Sequence, residues 1–393
     1  MTPESTTAVA SILTVNAGSS SLRFALYEGA TRPAPVLHGR IEGLGGSVPR
    51  AHLTPERDFD APSLEGVRDH AGAISALCDW LTKNGLQHRI RAIAHRVVHG
   101  GERSGPAVID EALLTELEEL KPFAPLHQPH GLHAIRALRE KLPQSMQVAC
   151  FDTSFHRTLP AVARRLALPD SLTERPLRRY GFHGLSFEYI AGRLPAFAPD
   201  AQRVIVAHLG SGASMCAMHH GRSVETSMGM TPLDGLPMGT RSGAVDPGLL
   251  LWLLETQGFD AERLGNVLYR ESGLLGLSGI SGDMQTLLQS QDPGAKEAID
   301  VFTYHCARTL SSLVVALGGL DAVVFTGGIG ERAASVRADI VSRCDWLGLR
   351  LDPAANEDHR TCISAARQPP SIWVIPTDEE EILALHAMRL ITS

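Results

Sequence analysis

The sequence predicts an α/β protein built from two duplicated domains, and three observations carry that prediction. The first is an internal repeat. Residues 12–29, ILTVNAGSSSLRFALYEG, and residues 204–221, VIVAHLGSGASMCAMHHG, share one plan 192 positions apart: an aliphatic run, a Gly/Ser turn, and a second apolar segment closing on glycine. Gly18 aligns with Gly210, Ser19 with Ser211, Ala25 with Ala217 and Gly29 with Gly221. The second is an alternation of strand-like and helix-like runs along most of the chain, the pattern of helices layered on mixed sheets. The third is length: 393 residues exceed one ordinary core and suit two.

Taken in order, strands are expected at 12–15 and 23–27, on either side of the first turn, then at 93–98 and 147–151. The second copy supplies 204–208 and 215–219, and later runs supply 322–326 and 371–375. Helices are expected at 73–82, 111–120, 131–140, 185–194, 247–256, 283–289, 295–317 and 380–390. Each half thus opens with a hairpin and continues into helix–strand units. The turns of the two hairpins are expected to meet a ligand with their backbone. Glycine permits close approach and positive φ, and successive N–H groups form a concavity for an anion. The domain change is placed just after Phe151-Asp152, where an apolar strand ends in a polar turn. This gives an N-terminal domain of 1–155 plus 383–393, with the last helix crossing back, and a C-terminal domain of 156–382.

The net charge of −7, without long Lys/Arg runs, excludes nucleic acid or an anionic membrane as the main partner. The six cysteines form no C-x-x-C pair, several sit in apolar runs, and together they point to a reducing, cytoplasmic setting. No Lys or Arg precedes Arg23, so the charged start of a signal peptide is missing. Residues 309–330 are long and nearly uncharged, but Gly318-Gly319 splits them into a helical half and a strand half.

Polar, glycine-rich clusters follow the strands: HRVVHGGER (95–103), FDTSFH (151–156), RRYGFHGLS (178–186), HLGSGAS (208–214), MGTRSGAVDPG (238–248), GGIGER (327–332) and PTDEEE (376–381). In open α/β sheets the ligand cleft lies at the carboxyl ends of strands, so these clusters imply a deep polar site. Arg96 stands at the end of an apolar strand and needs an anion, either a protein carboxylate or a substrate. Asp152 alone reads equally as a turn residue, and the glycines at 327–330 as a structural turn. His127, His130 and His133 are spaced like helical ligands, but Pro129 is expected to break the segment. His95 and His99 lie in a strand, not on the helix that an i,i+4 zinc pair requires.

The combination is more specific than its parts. Asn16-Ala17-Gly18-Ser19-Ser20-Ser21-Leu22 resembles the opening signature of the acetate kinase family. The resemblance continues in order through HRVVHGG, APLH, FDTSFH, RRYGFHG, HLGSGAS, GMTPLDGLPMGTRSG, DPG, FTGGIGE and VIPTDEE, from about residue 12 to residue 381. It implies two duplicated ribonuclease-H-like domains of the actin-like ATPase kind with a central active-site cleft. The implied reaction is reversible transfer of a phosphoryl group from ATP to acetate, giving acetyl phosphate and ADP by direct in-line attack. Mg²⁺ is the implied metal, with Mn²⁺ as a substitute, and a homodimer is the implied assembly. Such chemistry is mainly positioning and electrostatics.

By the same resemblance, Arg96 and Arg241 flank the carboxylate and the transferring phosphoryl group, where a planar fork suits both oxyanions. His183 stabilises the transition state and Asp152 orients an arginine and the metal shell. Asn16 and Glu379 serve the metal, and His127 and His208 are further site histidines. Val98, Leu126, Phe182 and Pro232 line a small acyl pocket, in which valine at 98 favours acetate over propionate. The nucleotide side comprises Arg23, His208, Leu209, Gly210, Ser211, Gly212, Asp283, Met284, Gln285, Gly328, Ile329, Gly330, Glu331 and Arg332. Four of these depart from the family pattern: Arg23 for lysine, Ser211 for asparagine, Gln285 for arginine and Arg332 for asparagine. They cluster where nucleotide affinity or base preference is set. A propionate kinase of the same family and a non-catalytic actin-like protein are the competing expectations. Paired arginines beside a small apolar pocket favour the kinase.

Overall fold

The structure, a computed structural model, describes residues 10–18, 20–46, 48–55, 59–174, 177–366 and 368–392. Ser19, aligned above with Ser211, lies outside them. The chain divides into two compact units. One takes residues up to Ser154 together with those from Asp378 onward, and the other takes Phe155–Thr377.

The first unit is built on a seven-stranded sheet of order β4-β3-β2-β1-β5-β7-β6. Its strands are β1 (Ala10–Ala17), β2 (Ser21–Gly29), β3 (Ala34–Glu42), β4 (Arg50–Pro55), β5 (Ile90–Val97), β6 (Ala107–Val108) and β7 (Met146–Phe151). β1 pairs antiparallel with β2, and β1, β5 and β7 run parallel, with Val15 opposite His95 and His95 opposite Ala149. Helices α1 (His70–Lys83), α2 (Glu111–Glu119) and α3 (Gln128–Lys141) cover it. α1 begins where the Asp69 side chain accepts from Gly72 N–H at 2.8 Å, and Ile74, Leu77 and Leu81 of its inner face are fully buried. The C-terminal helix, Glu379–Thr392, packs on β1 and β5. It is continuous from Glu379, so residues 379–382 belong with this unit.

The second unit has a five-stranded sheet of order β10-β9-β8-β11-β12. Its strands are β8 (Arg203–Leu209), β9 (Ala213–His219), β10 (Arg222–Thr226), β11 (Ala322–Thr326) and β12 (Ser371–Val374). β8 and β9 are antiparallel, while β8, β11 and β12 are parallel. The helices that matter for the site are α4 (Gly184–Arg193), α5 (Pro247–Thr256), α6 (Pro293–Leu317), α7 (Gly327–Arg332) and α8 (Ala334–Ser342). α6 ends at Gly318, with φ of 65°, and β11 follows, so the uncharged stretch at 309–330 is a helix, a glycine stop and a buried strand. No described helix is long and apolar enough to cross a membrane.

The duplication reaches the sheets. β3-β2-β1-β5-β7 and β10-β9-β8-β11-β12 are the same arrangement, a three-strand meander continued by two parallel strands. Two expectations need correction. Gly18, Gly210 and Gly212 are not among the positive-φ glycines, so the turns use glycine for space rather than for handedness. Pro129 does not break the 127–133 segment. It sits at the start of α3, where its missing N–H costs nothing, and His130 and His133 lie within the helix.

Candidate active site

In the first unit the carboxyl ends of three neighbouring parallel strands bring together the predicted polar residues. Asn16 is the penultimate residue of β1, Arg96 that of β5, and Asp152 follows β7 directly. Arg96 is clamped. Its Nε donates to both Asp152 oxygens at 3.0 and 3.2 Å and its Nη2 to Oδ2 at 2.7 Å, a fork-on-carboxylate geometry. Its Nη1 lies 3.1 Å from Glu379 Oε2. The anion required by an arginine at this strand end is therefore a pair of protein carboxylates. Asp152 is 1% exposed, so the pair is worth most to the fold through the cost of breaking it, about 3–5 kcal/mol. Burial opposes the charge on Arg96, but Asp152 and Glu379 outweigh it and hold the guanidinium firmly cationic.

Glu379, Glu380 and Glu381 form the first turn of the C-terminal helix, where the amide dipoles favour negative charge. Glu380 is pushed up by burial, and then by the like charges of Glu379 and Asp378. A hard cation beside these oxygens would relieve that crowding. Among the described residues no three His, Cys, Asp or Glu side chains are grouped around one ion position. Magnesium takes one or two protein oxygens and completes its shell with water and phosphate. Asn16, near the end of β1, and Glu379, beside Arg96, supply oxygen donors of that kind. Val98 and Leu126 are half-buried loop residues of this unit, and His127 occupies the N-cap position of α3.

The second unit carries an imidazole stack over its hairpin turn. His183, with φ of 57° and ψ of 23°, caps α4 from the left-handed region. Such a conformation in a non-glycine residue costs about 1–3 kcal/mol and marks functional positions. Its Nδ1 is 2.8 Å from Ser214 Oγ on β9, and its ring stacks on that of His208 with centroids 4.4 Å apart. His208, near the end of β8, is held in turn by Ser186 Oγ at 2.8 Å.

Arg241 arrives from the 227–243 loop. That loop is docked on the hairpin by Gly239 N–H donating to Ser211 O at 3.1 Å, and Arg241 Nη1 donates to Pro232 O at 2.7 Å. A β-carbon on Gly212 would stand 3.1 Å from His183 Nε2 and 3.4 Å from Arg241 Nη2. The imidazole edge and the guanidinium thus both approach a turn where any β-carbon would crowd them. The predicted pocket residues of this unit, Phe182 and Pro232, are both buried.

The other predicted nucleotide residues divide. Gly328 has open space beside its Cα. Ser211, Gln285 and Arg332 belong to this unit, whereas Arg23 is an exposed residue of β2 in the first. Leu209 and Met284 are buried, so only their backbones are available to a ligand. Asp283 caps a short helix, its Oδ1 accepting from Thr286 N–H at 2.8 Å. Glu331, expected on the nucleotide side, also has a structural role. Its Oε1 accepts from Gly327 N–H at 3.0 Å and Thr377 N–H at 3.3 Å, so it joins two strand ends. The glycines at 327–330, read as a turn, form the start of α7.

Several residues escaped the sequence reading. Arg337 of α8 is fully buried, with no carboxylate in contact among the described residues. It donates to the carbonyls of Gly330 and Glu331, both at 2.9 Å, and burial lowers it to about 10. Its signal was an arginine in the apolar stripe of Val336, Ile340 and Val341. Arg179 likewise spends its Nη1 on the carbonyls of Thr226 and Met228, both at 3.0 Å. His95 and His156, both inside motifs, are buried, and burial lowers each to about 4 despite one favourable hydrogen bond.

The profile of the acetokinase family matches residues 11–385. An acetate kinase of Rhodopseudomonas palustris is 50% identical over 96% of this chain and 98% of its own length. One of Nitrobacter hamburgensis is 46% identical over 97% and 96%. Among solved structures, a propionate kinase of Francisella tularensis superposes with a TM-score of 0.89 at 36% identity, covering 96% of this chain and 98% of that one. The acetate kinase of Porphyromonas gingivalis does so with 0.84 at 34%, covering 97% and 100%. With a family profile spanning nearly the whole length and relatives this similar over their full lengths, the chain belongs to the acetokinase family.

Proposed function

We propose that the protein transfers the γ-phosphoryl group of ATP to acetate, reversibly, giving acetyl phosphate and ADP. The observation that carries this reading is Arg241 and His183 meeting over Gly212. A cation and an imidazole edge at a bare glycine turn suit a phosphoryl group approached from its backbone side. In the forward direction a carboxylate oxygen of acetate forms a bond to the γ-phosphorus as the bond to the ADP oxygen breaks. No proton changes hands and no protein residue is phosphorylated.

Arg241 neutralises the equatorial oxygens, and His183 donates a hydrogen bond to one of them. Arg96, held by Asp152 and Glu379, orients the acetate carboxylate, and His127 adds a further contact. Val98, Leu126, Phe182 and Pro232 receive the methyl group. Asn16 and Glu379 would hold Mg²⁺, or Mn²⁺ in its place, which would screen the nucleotide phosphates. The β8–β9 turn at 210–212 and the start of α7 at 328–330 receive the nucleotide, with His208, Gln285 and Arg332 at its margin and Arg23 contributing from β2.

The reading includes a homodimer and a cytoplasmic setting. α5 supports the first: Leu249, Leu251, Trp252 and Leu254 are all exposed and none of its residues is buried. Six free cysteines support the second. A hydroxamate trap for acyl phosphate tests the reaction, with acetate and ATP expected to give the highest kcat/KM among acetate, propionate and butyrate, each with ATP and GTP. The propionate kinase resemblance favours a second reading, propionate on top. One methylene in an apolar pocket is worth only about 1–3 kcal/mol, so on either reading the less favoured of the two acids should still be a secondary substrate. No acyl phosphate from any pair would overturn the assignment.

A further inference from the structure

A buried hydrogen-bond relay runs through the second unit to the residue before His183, and its donors can be ordered. The carbonyl of Phe182 can only accept, and it lies 3.0 Å from His156 Nε2, so that nitrogen carries the proton. His156 Nδ1 is then an acceptor, and Ser223 Oγ, 2.9 Å away, donates to it. Ser223 Oγ in turn accepts from the Cys216 thiol at 3.3 Å, and Thr158 Oγ1 anchors the Ser223 carbonyl at 2.7 Å. Burial keeps the imidazole neutral and the thiol protonated, consistent with this direction. The chain reads Cys216 to Ser223 to His156 to the Phe182 carbonyl, with every bond in one sense.

A second observation is independent of these bonds. Gly181 has φ of 75°, and a β-carbon there would stand 2.6 Å from His156 Cδ2 and 2.7 Å from Thr226 Cγ2. The backbone entering His183 is therefore seated on the His156 ring. It is pinned from another side by Tyr180 and Gly181 N–H donating to Gly229 O at 3.0 and 3.2 Å. The peptide that follows is the one in which His183 takes its left-handed conformation. An imidazole against this backbone, fixed in one tautomer, is a means of holding a strained neighbour in place.

We propose that His156 is a positioning residue for His183, acting through the Phe182 carbonyl to hold the 181–183 backbone so that the His183 ring stays at Gly212. This rests on the reading that His183 stabilises the transferring phosphoryl group. His156 touches no substrate, so its loss should move kcat and leave both KM values nearly alone.

The experiment is a double-mutant cycle in the intact protein, scored by acetyl phosphate formation. His156→Leu is expected to lower kcat on the order of 100-fold, the scale of a misplaced catalytic group, with KM for acetate and ATP within about twofold. His156→Gln can donate to the same carbonyl and should restore kcat to within about tenfold of the parent. Adding His156→Leu to His183→Ala should cost less than about threefold more, because two residues acting as one unit are not additive. A fully additive loss would overturn the proposal, as would an unchanged kcat in His156→Leu. If His156→Leu does not fold, Ser223→Ala, which removes one hydroxyl, enters the cycle with the same expected non-additivity and a smaller loss. A silent His183→Ala would instead sink the role assigned to His183, and the proposal with it, and is distinguishable because it is read before the cycle is closed.

Discussion

The two units place different chemistry on equivalent strand ends. The offset of the repeat sets Asn16 against His208, and the registers set their parallel neighbours, Arg96 and Thr326, against each other. The first unit fills its position with a charged cluster, Arg96 between Asp152 and Glu379. The second fills it with the His183–His208 stack and with the Thr326 and Thr377 hydroxyls, which are buried without a partner among the described residues. Its cation, Arg241, comes from a loop rather than a strand end. A charge at a buried strand end must have its counter-charge built in, whereas an unsatisfied hydroxyl can wait for a ligand. The first unit is thus locked by its own ion cluster, and the second leaves hydroxyls unsatisfied at the same place.

The largest effect should come from unlocking the first unit. Asp152→Ala leaves Arg96 with Glu379 alone, and is expected to lower stability by about 3 kcal/mol and acetyl phosphate formation by on the order of 10³-fold. Denaturant titration and the hydroxamate trap read the two separately. If Asp152→Ala were as stable as the parent, the ion cluster would not be the lock described. Arg241→Leu is the contrast, since its loss should weaken activity comparably and lower stability by only about 1 kcal/mol, the scale of its hydrogen bond to Pro232 O.

Much of this division was legible in the sequence, for identifiable reasons. The hairpin repeat survives because Gly/Ser turns between aliphatic runs have few alternatives, and every strand bordering the site is such a run. β3 and β4 were not read because they lie toward a sheet edge, with mixed polar residues and a proline in each, and lack a buried strand's apolar run. Arg96 was legible as an arginine in need of an anion, but choosing between protein and substrate required Asp152 and Glu379, 56 and 283 positions away, to be seen together. The backbone role of Glu331 was not legible, because its motif looks the same whatever its carboxylate oxygens accept from. Arg337 and His156 were passed over because only burial distinguishes them from ordinary polar residues.

Acid should test both units at once. His95 in the first and His156 in the second are each lowered to about 4, chiefly by burial. Between that value and the ordinary 6.5, the unfolded chain binds the proton and the folded one does not. Stability therefore rises with pH across this window and falls as pH drops from about 6.5 toward 4. At pH 5 each histidine should cost about 2 kcal/mol relative to neutral pH. His95→Gln and His156→Gln should each remove one share of the slope between denaturation curves at pH 7.5 and pH 5. Equal shares would mean the units are equally sealed. If neither variant flattened the slope, the acid sensitivity would lie elsewhere.

The smallest effect bears most directly on what the second unit lacks. Thr326 is fully buried at the end of β11, and its hydroxyl has no partner among the described residues. Thr326→Val keeps the shape and removes the unsatisfied group, so the ligand-free protein should gain about 1 kcal/mol. If the hydroxyl is satisfied when nucleotide binds, directly or through a water, the parent regains that bond and the variant cannot. The gain should then shrink toward zero in saturating Mg²⁺–ATP. Thermal denaturation of both proteins with and without nucleotide reads the difference. A gain of the same size in both conditions would make Thr326 an unpaired hydroxyl with no ligand to meet, and the second unit would then be as closed at this strand end as the first.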